Sequence, residues 1–159
     1  NFNESLGNNE SLYSSKEHQW LNWKYSRLIN TDRLWILKNY DKEKLKGFLV
    51  FVINYEKKYK LKKSTIVEMS FIDSADSEVA EMIKKCILIS NKLNCDLIDV
   101  IGFNKHKKDL LSKIGFLDKK TGNFGFLVKN SNSEIEDILF NDENTLDMSL
   151  TDGDAVFSL

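Results

Sequence analysis

Residues 64–116 constrain this chain more than any other stretch, because they read strand, long helix, strand, short helix. Thr65 to Ile72 is β-branched and apolar with polar residues at alternate points, the pattern of a mostly buried strand. Val79, Met82, Ile83, Cys86, Ile87, Ser90 and Leu93 then recur at three- and four-residue spacing, which gives one broad apolar helix face. Asp73, Ser74 or Asp76 is expected to cap that helix. Residues 96–103 form a second apolar run of strand length. A helix between two such runs implies a right-handed parallel crossover, with both strands central. Asn104 is placed to cap a short helix whose Leu110, Leu111 and Ile114 face inward, and Gly115 ends it where a left-handed residue is wanted.

The preceding residues supply the rest of a sheet. Residues 33–40 and 46–55 read as strands joined by the charged turn Asp41-Lys42-Glu43-Lys44, an antiparallel hairpin. The basic run Lys57-Lys58-Tyr59-Lys60-Leu61-Lys62-Lys63 leads into the next strand, so three sequential strands form a meander before the crossover. Residues 14–28 read as a helix capped by Ser14 or Ser15. It displays Trp20, Leu21, Trp23, Tyr25 and Leu28, a cluster suited to a core or interface face rather than a ligand cage. Residues 123–129 are a late strand, expected antiparallel beside the 96–103 strand. The fold class is therefore α+β in three layers, with a mixed, mostly antiparallel sheet, one parallel βαβ crossover and flanking helices.

A chain of 159 residues with 42% hydrophobic content buries a core as one ordinary domain. Residues 1–13 read as a flexible arm or interdomain linker, and 14–159 as the single domain. The segment 131–159 carries eight acids and no lysine or arginine. Its Leu146, Met148, Leu150, Val156 and Phe157 are too apolar for a disordered acidic tail, so it is expected to pack back. A formal charge of −1 argues against a global nucleic-acid footprint. The 57–63 run with Lys105, Lys107 and Lys108 offers a basic rim, although its plainer reading is solvated loop. Two cysteines make no disulfide framework, and Cys86 and Cys95 read as core thiols of a cytoplasmic protein. No apolar run of about 18 residues or signal-peptide pattern is visible, so no membrane partner is expected. The chain opens on Asn1 rather than methionine, as a fragment or processed chain would.

The segment Asn104-Lys105-His106-Lys107-Lys108-Asp109-Leu110-Leu111-Ser112-Lys113-Ile114-Gly115-Phe116 resembles the end of the GNAT superfamily of acyl-CoA-dependent N-acyltransferases, where an Asn, a helix with a Leu-Tyr pair and then Gly-Phe follow in order. Gly47 in Leu-Lys-Gly-Phe-Leu-Val-Phe-Val resembles the family's third strand, and the element order agrees from Arg33 to Lys129. Trp20-Leu21-Asn22-Trp23-Lys24-Tyr25 and Leu150-Thr151-Asp152-Gly153-Asp154 further resemble the degenerate C-terminal half of tandem-GNAT bacterial proteins. That narrower likeness implies an upstream GNAT domain in the same chain as partner. It also implies a small-molecule or peptide amine as acceptor.

The resemblance implies acetyl-CoA or another acyl-CoA as cofactor, its pyrophosphate held by backbone amides of a Gly-rich loop at the start of the long helix. By position it assigns Met69, Phe71 and Asn104 to the cofactor. Yet Asp73-Ser74-Ala75-Asp76-Ser77-Glu78-Val79-Ala80-Glu81 holds no glycine and no cation there, and its four carboxylates repel a pyrophosphate. Leu111 stands where the family's tyrosine protonates the departing thiolate, and leucine donates no proton. The expectation is that this domain binds no acyl-CoA.

Two acids remain as candidate general bases. Glu68 lies inside a buried strand and Asp99 interrupts another, positions where a raised pKa suits proton abstraction from an amine. The alternative for each is pairing with a lysine or a backbone group. His18 and His106 are isolated, and no metal-ligand spacing is present. Three functions stay open: a GNAT-like half that shapes an acceptor site or stabilises a partner, a competent N-acetyltransferase with a divergent cofactor loop, and a protein-interaction module.

Overall fold

The computed structural model describes residues 12–13, 18–72, 75–100, 105–118 and 146–147. Its main sheet has the order β2-β3-β4-β5, where β2 is Leu34–Asp41, β3 Lys44–Glu56, β4 Leu61–Phe71 and β5 Leu97–Val100. The first three strands are a meander of antiparallel neighbours, and β5 runs parallel to β4. The long helix α2, Asp76–Lys92, makes the crossover between them. This is the expected α+β arrangement, mostly antiparallel with one parallel βαβ unit. The first hairpin is tight because Asp41 pairs with Lys44, leaving Lys42 and Glu43 to turn, and Lys42 adopts φ +54° as short hairpin loops require.

Every residue of β3 from Gly47 to Ile53 is buried, because both faces of the sheet are covered. Leu49, Phe51 and Ile53 face one cluster with Val79, Met82, Ile83 and Cys86 of α2 and with Leu110 and Leu111 of α3, Lys105–Ile114. The alternate residues Phe48, Val50 and Val52 face Tyr25 of α1, His18–Tyr25, and the following Leu28. Strand periodicity thus sorts one continuous apolar run into two cores. Each fully buried side chain of this run contributes about 1.5–3 kcal/mol. Between α2 and β4, Ser90 Oγ donates to Ser64 Oγ at 2.9 Å, so these buried hydroxyls satisfy one another.

β4 carries a bulge. Val50 pairs with Glu68 but Phe51 pairs with Ile66, which leaves Val67 as the extra residue. Its effect is visible in the side chains. Ile66 and Met69, three positions apart, both join the α2 side, whereas Val67 packs on the α1 side and Glu68 reaches Lys24 of α1. A regular strand would send Ile66 and Met69 to opposite faces.

Several expectations are corrected. Ala75, not Asp76, occupies the cap position of α2 and makes no side-chain cap, because Asp76 is already helical. Asp76 and Glu78 instead favour the helix through their charge in its first turn. The expected strand 123–129 lies outside the described residues, and with it the test of whether β5 is central. The 57–63 turn and the lysines of α3 do not form a common rim. Lys63 sits at the β5-paired end of β4, while Lys107 reaches Met69, about 20 Å further along the strand at roughly 3.3 Å per residue. In the arm, Leu12–Tyr13 (β1) pairs in parallel with Leu146–Asp147 (β6). Ser14, Ser15, Asp73, Ser74 and Asn104 lie outside the described residues, as does the rest of 131–159. The expected left-handed Gly115 is present at φ +104°.

Candidate functional site

Glu68, Met69 and Phe71 lie along the second half of β4. Among the described residues β5 accompanies β4 from Lys63 to Ile66. Ile72 N–H donates to Lys46 O at 2.8 Å, toward β3. By antiparallel alternation Met69 and Phe71 therefore direct their backbone groups to the side of β4 away from β3. The start of α2 and the first turn of α3 flank it. His106 Nε2 lies 2.9 Å from Asp76 Oδ1, joining the two helices at the surface. Beside it, Lys107 Nζ donates to Met69 O at 3.2 Å.

Glu68 and Asp99 occupy different surroundings. Glu68 is buried beneath α1, its Oε2 3.6 Å from Lys24 Nζ, with both side chains 1% exposed. Asp99 lies on β5 opposite Thr65, and its Oδ2 is 3.0 Å from Lys63 Nζ at a half-exposed position. Each acid thus has a lysine partner. The two share a face of the sheet, since Thr65 and Val67 point to the α1 side, but the bulge and three strand positions separate them. Met69 is buried in the α2-side core. Phe71 packs its ring over Gly47, where a Cβ would overlap it. Leu111 is buried, an aliphatic member of the same core. Trp23 projects into solvent while Tyr25 is buried, so the aromatic helix is divided between core and surface; the Trp20 side chain lies outside the described residues.

Two functional partners were missed in the sequence, Lys24 and Lys107. A signal existed for the second. Lys107, Leu110, Leu111 and Ile114 stand at i, i+3, i+4 and i+7, so Lys107 belongs to the inward face of α3. Lys24 lies next to the buried Tyr25, but nothing local names Glu68 as its partner. The cysteines offer no activated nucleophile. Burial pushes the Cys86 thiol up to about 11 despite hydrogen bonds with Ser90 and Ser64, and burial also raises that of Cys95. Among the described residues no group of three or more side chains is placed to hold a metal ion, and no described helix is long and apolar enough to cross a membrane.

No protein-family model matches this sequence, and no curated protein does. Solved structures do resemble it. An aminoglycoside acetyltransferase from an uncultured soil metagenomic sample superposes with TM-score 0.60 at 15% identity, over 80% of this chain and 86% of its own. The aminoglycoside 6'-N-acetyltransferase of Acinetobacter haemolyticus gives 0.58 at 12%, over 80% and 91%. A GNAT family acetyltransferase of Staphylococcus aureus gives 0.55 at 14%, over 70% and 78%. At such identities the likeness is one of fold, and the sheet with its crossover matches a GNAT-like α+β fold.

Asp76 and Glu78 put carboxylates in the first turn of α2, where a pyrophosphate needs free N–H groups and cations. The carbonyl of Met69 already accepts a lysine, and Leu111 is a core side chain without a proton.

Proposed function

We propose that this domain is a GNAT-type half that does not hold acyl-CoA and instead shapes the acceptor site of, or stabilises, a catalytic GNAT half upstream in the same chain. The acidic first turn of α2 is the observation that carries this reading. A helix N-terminus attracts anions through its dipole and free amides, and Asp76 and Glu78 spend that field on the protein's own charge. The buried Lys24–Glu68 pair supports the same reading, because a base sealed beneath α1 does not reach an amine. Calorimetric titration of this chain with acetyl-CoA tests it: no heat of binding is expected up to millimolar ligand, and stoichiometric micromolar binding overturns it.

A second reading is favoured by coverage. The chain spans 86% and 91% of two acetyltransferases that are named for activity on aminoglycosides, the extent of a whole catalytic domain. A competent N-acetyltransferase with a divergent loop predicts transfer to an amine by this chain alone and loss of transfer in Glu68→Gln at retained fold. Absence of transfer across a panel of aminoglycosides and peptide amines decides against it.

A further inference from the structure

We infer that the acidic segment of this chain, through residues 134–140, docks on the turn between β3 and β4, where Lys57, Lys58 and Lys60 stand exposed beside Tyr55 and Tyr59. It does so whether or not the domain takes acyl-CoA. The formal charge of −1 hides a division along the chain. All 23 lysines and arginines precede residue 131, together with 16 of the 24 acids, so residues 1–130 carry +7 and residues 131–159, with the other eight acids, carry −8. Opposite charges on one chain meet at the high effective concentration that a tether imposes. Sixteen positions separate Asp118 from Glu134, which is roughly 50 Å of extended chain against a diameter of about 40 Å for a domain of this size. Reach therefore excludes no described surface, and charge selects among them.

The other lysine groups carry neutralising acids of their own. Lys42 and Lys44 alternate with Asp41 and Glu43, Lys85 pairs with Glu81, and Lys105 and Lys108 share a helix turn with His106, which pairs with Asp76. At the β3–β4 turn the nearby acids are already engaged. Glu56 Oε1 accepts the Lys58 backbone N–H at 3.3 Å, Asp96 Oδ2 accepts that of Lys62 at 2.8 Å, and Asp99 pairs with Lys63 at 3.0 Å. Among the described residues this leaves the ammonium groups of Lys57, Lys58 and Lys60 with no carboxylate partner inside a single turn. Tyr55 and Tyr59 are 60% and 62% exposed, and Lys58 Nζ lies 5.1 Å from the centre of the Tyr59 ring, so aromatic surface adjoins the charges. Glu134-Ile135-Glu136-Asp137-Ile138-Leu139-Phe140 mixes three carboxylates with four apolar side chains, the complement of that mixture.

Zero-length carbodiimide cross-linking of the full chain, which joins a carboxylate to an ammonium in contact with it, reads the docking by mass spectrometry. Links from Glu134, Glu136 or Asp137 to Lys57, Lys58 or Lys60 are expected, with the 2.9 Å Glu81–Lys85 pair of α2 as internal standard. In 1 M salt, where the screening length is about 3 Å, their yield relative to that standard is expected to fall at least about fivefold. Absence of these links, or links only to lysines elsewhere, overturns the inference. Links between labelled and unlabelled copies in a mixture with 15N-labelled chain place the segment on a second molecule and overturn it too. A twelve-residue polyglutamate peptide then probes whether the turn is covered. The variant with Glu134→Gln, Glu136→Gln and Asp137→Asn is expected to bind it at least about tenfold more tightly than a variant neutralised to the same net charge by Asp41→Asn, Glu43→Gln and Asp109→Asn. Equal affinities refute the docking. A native chain that binds the peptide through Lys57, Lys58 and Lys60 without forming the internal links refutes it as well, and assigns the turn to an external acidic partner.

Discussion

Replacing Glu68 by glutamine tests whether the acid is a structural charge or a chemical one. The substitution is nearly isosteric, so packing under α1 is preserved while the partner of Lys24 is removed. Both side chains are 1% exposed, and the ammonium then retains its desolvation cost without the carboxylate that offset it. Breaking a buried ion pair from one side costs about 3–5 kcal/mol. With a urea m value of about 2 kcal/mol/M for a domain of this size, the midpoint falls by roughly 1.5–2.5 M. Urea titration followed by tryptophan fluorescence reads this directly. The double variant Lys24→Met with Glu68→Met removes both charges and is expected to return to within about 1 kcal/mol of the native protein or above it. A midpoint for Glu68→Gln within about 0.3 M of native refutes the structural assignment. So does a double variant no better than the single one, because the cost then lies in lost packing rather than in a stranded charge.

Asp99→Asn, by contrast, breaks only a half-exposed pair with Lys63, and a loss below about 1 kcal/mol is expected in the same titration. Gly47→Ala forces a methyl into the Phe71 ring and is expected to cost about 1–3 kcal/mol, read as a lowered melting temperature. The Cys86 thiol is raised from 9.0 to about 11, so the folded state favours its protonated form. That contribution is complete below pH 9 and is lost as pH rises through 11, about 2–3 kcal/mol over the window. Comparing stability at pH 8 and pH 11 in the native protein and in Cys86→Ala checks it: the variant is expected to lose less, and equal losses refute the assignment.

Much of this protein follows from local chemistry that its sequence displays. The β-branched runs of β3 and β4, the long apolar face of α2, the charged turn Asp41-Lys42-Glu43-Lys44 and the left-handed Gly115 each depend on residues within a turn or a strand of one another. The order of those elements then leaves few topologies for the sheet. The identity of Glu68 as an anomaly was legible for the same reason, a carboxylate inside an apolar strand. Its meaning was not. The bulge that turns Glu68 toward α1 exists only in the register between β3 and β4, and Lys24 becomes its partner only when a distant helix docks on that face. The hydrogen bond from Lys107 to the Met69 carbonyl, 38 positions away, likewise requires the sheet to be built before it has any existence. Secondary structure is fixed by neighbours in the chain. Charge partners and strand register are fixed by neighbours in space, because they need elements far apart in the chain to be packed together first.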